Sequence, residues 1–413
     1  MIFGMTVIAF ILVILAVIFG LYMAWNIGAN DVANSMATAV GAKAITLRQA
    51  VIIAAVLNFL GAVFLGSDVK ETLEKGIVNV DMIGDAHSVM LGFMASILAA
   101  AIFVTIATWK ELPVSTTHAI IGGITGFGFI AGGADVIIWK KLGEVTASWV
   151  LSPLAGAVIA FVVFRSIVHF VFASGEPTKS AKKFGPIFIG LTFFIITLSL
   201  FTKTHLGDML FTGMDQVILL SLAVFAVSTI AGIFIVGGMT IGKGYEAVEH
   251  LFRKLQIITS CYVALSHGAN DVANAIAPLS VVLTTALKDT SIVDSNFSYY
   301  LLALGGAGIA AGILTWGYKV IRTLGSKITS LTNTRGFSVD FGTATTVLVA
   351  SRLGLPISTS HTVVGAVIGV GLARGLEAVD LSIVKKIIYS WALTLPVAII
   401  LSIVIYKGLM IVF

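Results

Sequence analysis

Long apolar runs, separated by short polar stretches, constrain the fold of this chain more than any other feature of its sequence. A helix needs about 20 apolar residues to cross the hydrocarbon core of a bilayer. The runs that reach or approach this length are 3–24, 47–66, 88–108, 146–172, 185–202, 215–238, 257–282, 299–321 and 384–411. Two further apolar segments, 117–134 and 338–374, are interrupted by Gly, Pro, Ser and Thr. We therefore expect an all-α polytopic membrane protein with about 11–12 transmembrane helices.

The composition supports lipid as the main solvent and argues against several classes of partner. Hydrophobic residues make up 58% of the chain and charged residues only 11%, whereas a soluble chain carries about 25% charged residues. The net charge of +5 comes from scattered Lys and Arg, so the sequence offers no basic face for nucleic acid. Cys261 is the only cysteine, which excludes an intrachain disulfide and a Cys-rich metal site. The apolar N-terminal run has no basic start and no small-residue cleavage site, so we interpret it as a span.

Two polar motifs occur twice in the chain, in the same order and at nearly the same separation. Residues 28–34 and 268–274 both read Gly-Ala-Asn-Asp-Val-Ala-Asn. Residues 112–118 and 355–361 both read Leu-Pro, one apolar residue, and then Ser-Thr-Thr-His or Ser-Thr-Ser-His. This pattern indicates a duplication, with one copy on either side of a less repetitive bridge.

The relative direction of the two copies follows from the number of expected spans between them. Seven expected crossings separate the two Gly-Ala-Asn-Asp motifs, and an odd number places the copies in opposite orientations. Inverted-topology repeats are the usual architecture of secondary transporters. We assign residues 1–172 to the first inverted repeat, 173–256 to bridging spans and loops, and 257–413 to the second inverted repeat.

Lysine and arginine accumulate in alternate connections between the expected spans, and positive loops mark the cytoplasmic side of a membrane. The basic loops contain Lys179, Lys182, Lys183, Lys243, Arg253, Lys254, Lys319, Arg322, Lys327 and Arg335. The loops between them are neutral or acidic. The pattern predicts a multi-pass protein of the cell (plasma or inner) membrane with its N-terminus outside.

The duplicated Asn-Asp motif places an acid within or beside an apolar run in each repeat. An ionised carboxylate is costly there unless it has a partner. Carboxylate, amide and carbonyl oxygens together suit a small hard cation, and Gly28 and Gly268 allow the backbone to open and free its carbonyls. The predicted ligands of this cation are Asn30, Asp31, Asn34, Asn270, Asp271 and Asn274. The structural alternative is a polar helix–helix contact with small residues for close packing.

The proline motif predicts a broken or re-entrant helix that begins near the membrane midplane. Pro113 and Pro356 lack an N–H and suit the start of a helix, where hydroxyl residues cap exposed amides. Two helix N-termini at membrane depth would surround an oxyanion with neutral donors and partial positive charge. The predicted donors are Ser115, Thr116, Thr117, Ser358, Thr359 and Ser360. The alternative is a pair of ordinary helix caps at the membrane surface. For the adjacent His118 and His361, three roles are open: relaying protons, binding substrate or hydrogen-bonding a neighbouring helix.

These residues resemble the inorganic phosphate transporter (PiT) family. The likeness is carried by residues 28–34, 268–274 and the two Pro-x-Ser-Thr segments, and it extends over both repeats. The resemblance implies symport of inorganic phosphate with sodium or protons by a membrane-embedded, dimeric carrier in which Asp31 and Asp271 are indispensable. Animal members of the family have a glutamate where this chain has Asn58, which leaves the stoichiometry open.

The sequence thus predicts a secondary active symporter and no enzyme, since it contains no His-Glu-x-x-His, Gly-x-Ser-x-Gly or phosphate-binding Gly-Lys loop. We expect import of inorganic phosphate with a cation, sodium in the first place, by alternating access of one repeat against the other. Co-bound cations would offset the phosphate charge, because the motifs contain no lysine or arginine. No cofactor is expected beyond these transported ions. A proton-coupled carrier of another oxyanion such as sulfate, and an ion channel, are the alternatives.

Overall fold

A computed structural model describes residues 6–110, 114–202, 207, 210–239, 242–287, 296–321, 332–375 and 381–413, without the side chains of 381–388, 390 and 391. Pro113 and the basic-loop residues Arg322 and Lys327 lie outside the described residues. The first part of the chain forms α1 (Val7–Gly41), α2 (Leu47–Leu65), α3 (Ser67–Lys75), α4 (Ala86–Trp109), α5 (Thr116–Gly132) and α6 (Trp139–Ile167). The bridge forms α7 (Pro177–Phe201) and α8 (Met214–Gly237). The last part forms α9 (Tyr245–Asp271), α10 (Ala273–Ala286), α11 (Phe297–Gly312), α12 (Asn333–Arg352), α13 (Thr359–Arg374) and α14 (Leu381–Val412).

These helices confirm an all-α polytopic membrane protein. Eight helices of the described part of the chain are long and apolar enough to cross a bilayer, namely α1, α2, α4, α6, α7, α8, α11 and α14, with α6 and α11 extended by a π-helical turn. The other expected crossings fall on helices that fail this test of length and hydropathy. Helices α5, α10 and α13 have 17, 14 and 16 residues, and α9 and α12 are too polar.

The expected span 257–282 is divided in the structure between α9 and α10. The division lies at Val272, inside the duplicated motif. Pro278 in α10 has no N–H to give to the carbonyl of Asn274, which weakens helical bonding beside the break. Thr38 occupies the matching position of the first repeat, where α1 continues without interruption. One copy of the motif therefore lies within a helix and the other at a helix break.

Two further expected segments differ in extent. The first apolar run, 3–24, belongs to the much longer α1, which carries the whole motif up to Gly41. The segment 338–374 is two helices, because the chain turns between α12 and α13. Gly354 in that turn has a φ of +67°, a conformation that glycine adopts without strain.

The two repeats pack closely against each other through their motif glycines. A Cβ added at Gly28 in α1 would overlap the carbonyl oxygen of Ile309 in α11. In the matching place, a Cβ added at Gly268 in α9 would overlap the carbonyl oxygen of Asn58 in α2. Helix α1 therefore lies against α11, and α9 lies against α2, so the contacts between the repeats are reciprocal.

The glycines that follow the proline motif make a second set of reciprocal contacts. Gly365 in α13 leaves no room for a side chain beside the carbonyl of Pro153 in α6. A Cβ added at Gly126 in α5 would likewise overlap the backbone of Ile399 in α14. This close packing joins each short helix to the last helix of the other repeat.

Polar side chains lie inside the helix bundle and apolar ones cover its surface. On α1, Asn30 and Asp31 are 5% and 1% exposed, whereas Ile11, Ile14 and Ile18 are 41–53% exposed. This is the reverse of a soluble protein and matches helices that face lipid. The arrangement collects the duplicated polar motifs in the centre of the molecule.

Candidate functional site

The N-termini of α5 and α13 meet in the interior of the protein. Ser115 caps α5, where its Oγ accepts a hydrogen bond from the N–H of His118 at 3.2 Å. Ser358 caps α13 in the same way, accepting from the N–H of His361 at 3.3 Å. Serine suits this role because its side chain satisfies one of the free N–H groups of the first turn. The predicted helix starts are therefore confirmed, and they are buried.

The two chain segments that lead into these helices are hydrogen-bonded to each other. Thr117 Oγ1 donates to the carbonyl oxygen of Ile357 at 3.0 Å. Ser360 Oγ donates to the carbonyl oxygen of Val114 at 3.4 Å. Each bond joins a hydroxyl of one repeat to the backbone of the other, so both broken helices share one site.

Each aspartate of the duplicated motif accepts a hydrogen bond from a threonine of its own repeat. Thr116 Oγ1 donates to Asp31 Oδ2 at 2.8 Å, and Thr359 Oγ1 donates to Asp271 Oδ2 at 3.1 Å. Both carboxylates are buried, with exposed fractions of 1% and 0%. These bonds bring the two duplicated motifs together within each repeat, as the sequence alone did not specify.

The second asparagine of each motif reaches across to the other repeat. Asn34 Nδ2 donates to Ser360 Oγ at 2.8 Å, and Asn274 Nδ2 donates to Thr117 Oγ1 at 3.1 Å. Each amide nitrogen also lies 3.5 Å from the carboxylate of its own motif. The asparagines therefore link the aspartate of one repeat to the helix N-terminus of the other.

The first asparagine of each motif has a different partner in the two repeats. Asn30 Nδ2 donates to Thr108 Oγ1 on α4 at 2.6 Å, whereas Asn270 Nδ2 donates to the carbonyl oxygen of Ile357 at 3.3 Å. The side-chain oxygens of Asn270 and Asn274 are buried and have no hydrogen-bond partner among the described residues. Buried acceptors without a donor are suited to bind a cation.

The two carboxylates lie close to each other and to one imidazole. A ligand atom of each of Asp31, His267 and Asp271 lies within 4.8 Å of the others. Among the ion pairs of the described residues, none joins a lysine or arginine to either aspartate. Two buried carboxylates at this distance need added positive charge, which a bound cation would supply.

The two matched histidines contact each other behind the helix starts. The rings of His118 and His361 have centroids 4.4 Å apart in an edge-to-face arrangement. The ring of His118 also lies against Trp149, with centroids 3.7 Å apart. Trp149 Nε1 donates to the carbonyl of Pro356 at 3.2 Å, so this cluster braces the opposite proline segment.

Sequence reasoning left two residues out of the site. His267 has no polar counterpart in the first repeat, where Ile27 stands at its place, so the duplicated motifs do not point to it; its Nε2 nevertheless lies 2.7 Å from Asp271 Oδ2. The spacing of four residues between His267 and Asp271 on a helix was the available signal. Asn58 was noted only as a departure from the resembled family, and it hydrogen-bonds the same histidine.

Comparisons with known proteins agree over nearly the whole chain. Residues 27–402 match the phosphate transporter family. A Pyrococcus horikoshii protein named "Putative phosphate permease" is 50% identical over 406 residues, 97% of this chain and 98% of that protein. "Inorganic phosphate transporter 2-1, chloroplastic" of Arabidopsis thaliana is 40% identical over 413 residues, 94% of this chain and 70% of that protein. A solved structure described as "The sodium-dependent phosphate transporter" has a TM-score of 0.91 at 46% identity, with 98% of this chain and 100% of its own covered.

Proposed function

The chain belongs to the phosphate transporter family, and we propose that it is a symporter that imports inorganic phosphate together with sodium by alternating access. It is a membrane transporter of phosphate and not an enzyme. The observation that carries the proposal is the meeting of two buried helix N-termini beside two buried aspartates. This brings donors for an oxyanion next to acceptors for a cation.

Phosphate binds, in this proposal, between the N-termini of α5 and α13. The first N–H groups of a helix have no acceptor within the helix, so they can donate to an anion with the support of the helix dipole. Ser115 and Ser358 accept from backbone N–H groups and keep their own protons to donate. Two such ends would give phosphate several neutral donors from opposite sides.

The other predicted phosphate ligands have a second task that limits them. Thr116 and Thr359 give their protons to the aspartates, and Thr117 and Ser360 give theirs to backbone carbonyls. We therefore assign the leading role to the backbone N–H groups and the cap serines. The other four hydroxyls connect the phosphate site to the cation site. A change at either site alters the hydrogen bonds that these hydroxyls make.

The coupling cations bind at Asp31 and Asp271. The free side-chain oxygens of Asn270 and Asn274 complete the ligand set on one side, and Asn30 and Asn34 are the corresponding candidates of the first repeat. These groups are all hard oxygen ligands, which favours sodium over softer metals. The description of the similar solved structure as sodium-dependent supports the same choice.

The charges explain why the two fluxes are coupled. A phosphate anion and two carboxylates cannot share a buried site without compensating positive charge. Sodium ions bound at the aspartates offset the negative charge of the phosphate and of the carboxylates, so neither phosphate nor sodium binds well alone. The two repeats, moving against each other about this site, would then carry the neutralised complex across the membrane.

The setting of the transporter is also part of the proposal. We place the transporter in the cell membrane, and the basic loops favour an orientation with the N-terminus outside. The apolar surface is the part that would contact the lipid bilayer, and the family resemblance favours a homodimer. The two duplicated halves, residues 1–172 and 257–413, would be the inverted repeats that rearrange, with 173–256 between them.

Uptake of radiolabelled phosphate into proteoliposomes tests the proposal. An inward sodium gradient at equal pH on both sides should drive accumulation, and an excess of sulfate should leave it unchanged. Uptake should saturate, and unlabelled phosphate inside should stimulate it by counterflow. Accumulation driven only by a pH gradient would indicate proton coupling instead. Competition by sulfate would indicate another oxyanion as substrate. Non-saturable flux without counterflow would indicate a channel.

A further inference from the structure

The reciprocal packing of the two repeats shows which residues occupy equivalent places. His267 and Ile27 both precede a motif glycine. The glycine after His267 packs on the carbonyl of Asn58, and the glycine after Ile27 packs on the carbonyl of Ile309. Asn58 is thus the counterpart of Ile309, and His267 is the counterpart of Ile27. In both pairs one repeat has isoleucine and the other has a polar residue.

The two polar residues are in contact with each other and with one aspartate. The amide of Asn58 donates from Nδ2 to the carbonyl of Ala54 at 2.8 Å, which turns its Oδ1 toward the histidine. That oxygen accepts a hydrogen bond from His267 Nδ1. The other ring nitrogen, Nε2, lies 2.7 Å from Asp271 Oδ2. All three side chains are buried.

Beside Asp31, two apolar residues occupy the places that correspond to His267 and Asn58. Ile27 and Ile309 are both fully buried and belong to the hydrophobic core. Asp31 Oδ2 therefore accepts from Thr116, whereas Asp271 Oδ2 is held by both Thr359 and His267. The two aspartates, identical in sequence context, differ in how firmly the protein fixes their carboxylates.

We propose that Asn58 and His267 are positioning residues that fix the Asp271 carboxylate and make its cation site the tighter of two unequal sites. The inference rests on the proposed function, since it assumes that the coupling cations bind at the aspartates. Nδ1 of His267 is bonded to Asn58, and Nε2 lies at ion-pair distance from Asp271 Oδ2, so the imidazole is placed to hold the Asp271 carboxylate in one orientation. A ligand held in place before binding loses less freedom when the cation arrives.

The test replaces the polar pair by the residues of the other repeat and measures the sodium dependence of phosphate uptake in proteoliposomes. His267→Ile and Asn58→Ile should each raise the half-saturating sodium concentration, by about tenfold or more, as expected when a residue that orients a metal ligand is lost. The maximal rate at saturating sodium should stay unchanged. The double variant should match His267→Ile, because Asn58 acts only through the histidine.

The double variant also controls for folding, since its isoleucine pair repeats the packing of Ile27 against the core. Its unfolding midpoint in detergent should remain at the wild-type value. His267→Gln, which keeps a polar group near Asp271, should recover part of the sodium affinity. Ile309→Val, at the place in the second repeat that matches Asn58, should leave the sodium half-saturation unchanged.

Two results overturn the inference in distinguishable ways. An unchanged sodium half-saturation in His267→Ile, with a lower maximal rate or lower stability, would assign the pair to core packing alone. Additive effects of His267→Ile and Asn58→Ile would reject the chain of contacts. A wild-type protein whose uptake ignores sodium would instead overturn the proposed function, and this is seen before any variant is made.

Discussion

Asn34 donates a hydrogen bond from Nδ2 to Oγ of Ser360, 2.8 Å away, and so joins the aspartate motif of the first repeat to the helix start of the second. Asn274 makes the matching bond to Thr117 at 3.1 Å. These two bonds cross between the repeats in opposite directions. Any movement of one motif relative to the other must change both, which makes them sensitive points of the transport cycle.

Loss of either crossing bond should weaken phosphate binding. A buried hydrogen bond contributes on the order of 1 kcal/mol, so Asn34→Ala and Asn274→Ala should each raise the half-saturating phosphate concentration by about fivefold. Uptake over a range of phosphate concentrations measures this. Asn79→Ala, at the N-cap of a 3-10 helix (Val80–Met82), should behave as wild type. Unchanged values in both site variants would show that the bonds do not support binding.

The cap serines should tolerate threonine but not alanine. Ser115→Ala and Ser358→Ala remove both the helix cap and a proposed phosphate donor, and a lost N-cap costs about 1 kcal/mol by itself. We expect phosphate half-saturation to rise by about tenfold in either alanine variant and to stay within about twofold in Ser115→Thr and Ser358→Thr. Equal phosphate half-saturation in the alanine and threonine variants would show that the serine hydroxyl does not bind phosphate.

The motif glycines should resist any side chain. A methyl group at Gly28 or Gly268 would overlap the backbone of the facing helix, and overpacking costs about 1–3 kcal/mol. Gly28→Ala and Gly268→Ala should therefore lower the unfolding midpoint in detergent. Gly143→Ala in α6, where a methyl group meets no atom within 4 Å, is the matched control and should keep its stability.

One stability contribution should depend on pH. Asp85 caps α4 outside the membrane spans, where the side chain and backbone of Ser88 donate to its carboxylate and hold the pKa of Asp85 below its ordinary value. Because the folded-state pKa is lowered, this stabilisation is present above the unfolded-state pKa and is lost as the pH falls through the folded-state pKa.

Asp85→Ala should accordingly lower the free energy of unfolding by about 1 kcal/mol at neutral pH. The difference between variant and wild type should vanish at acid pH, where the wild-type carboxyl is protonated. Thermal unfolding in detergent over a pH series measures it. A difference that persists at the lowest pH would show that the charge of Asp85 is not responsible.

Much of the candidate site could be predicted from the sequence because it is duplicated. Identical motifs identify Asp31 and Asp271, and the proline segments identify the capped helices of Ser115 and Ser358. The pairing of these groups could not be predicted. Thr116 and Asp31 are 85 residues apart, and only the packed helices determine that one bonds the other.

The duplication also concealed what is unequal. His267 has no polar counterpart in the first repeat, so an argument from symmetry passes over it although it contacts Asp271. The helix break at Val272 is another difference between the two repeats. The first repeat has Thr38 in place of Pro278, and α1 stays continuous there. Repeats reveal shared chemistry, whereas contacts reveal where the copies have diverged.

The central measurement is sodium-driven phosphate uptake by Asp31→Asn and Asp271→Asn in proteoliposomes, with insertion and the unfolding midpoint checked for each. Asparagine keeps the shape of the side chain and removes its charge, so a bound sodium ion loses its main ligand. Both variants should lose concentrative uptake, while Asp135→Asn, at an exposed position, should retain it. Accumulation at the full rate in correctly inserted Asp31→Asn and Asp271→Asn would show that the buried aspartates do not hold the coupling cations.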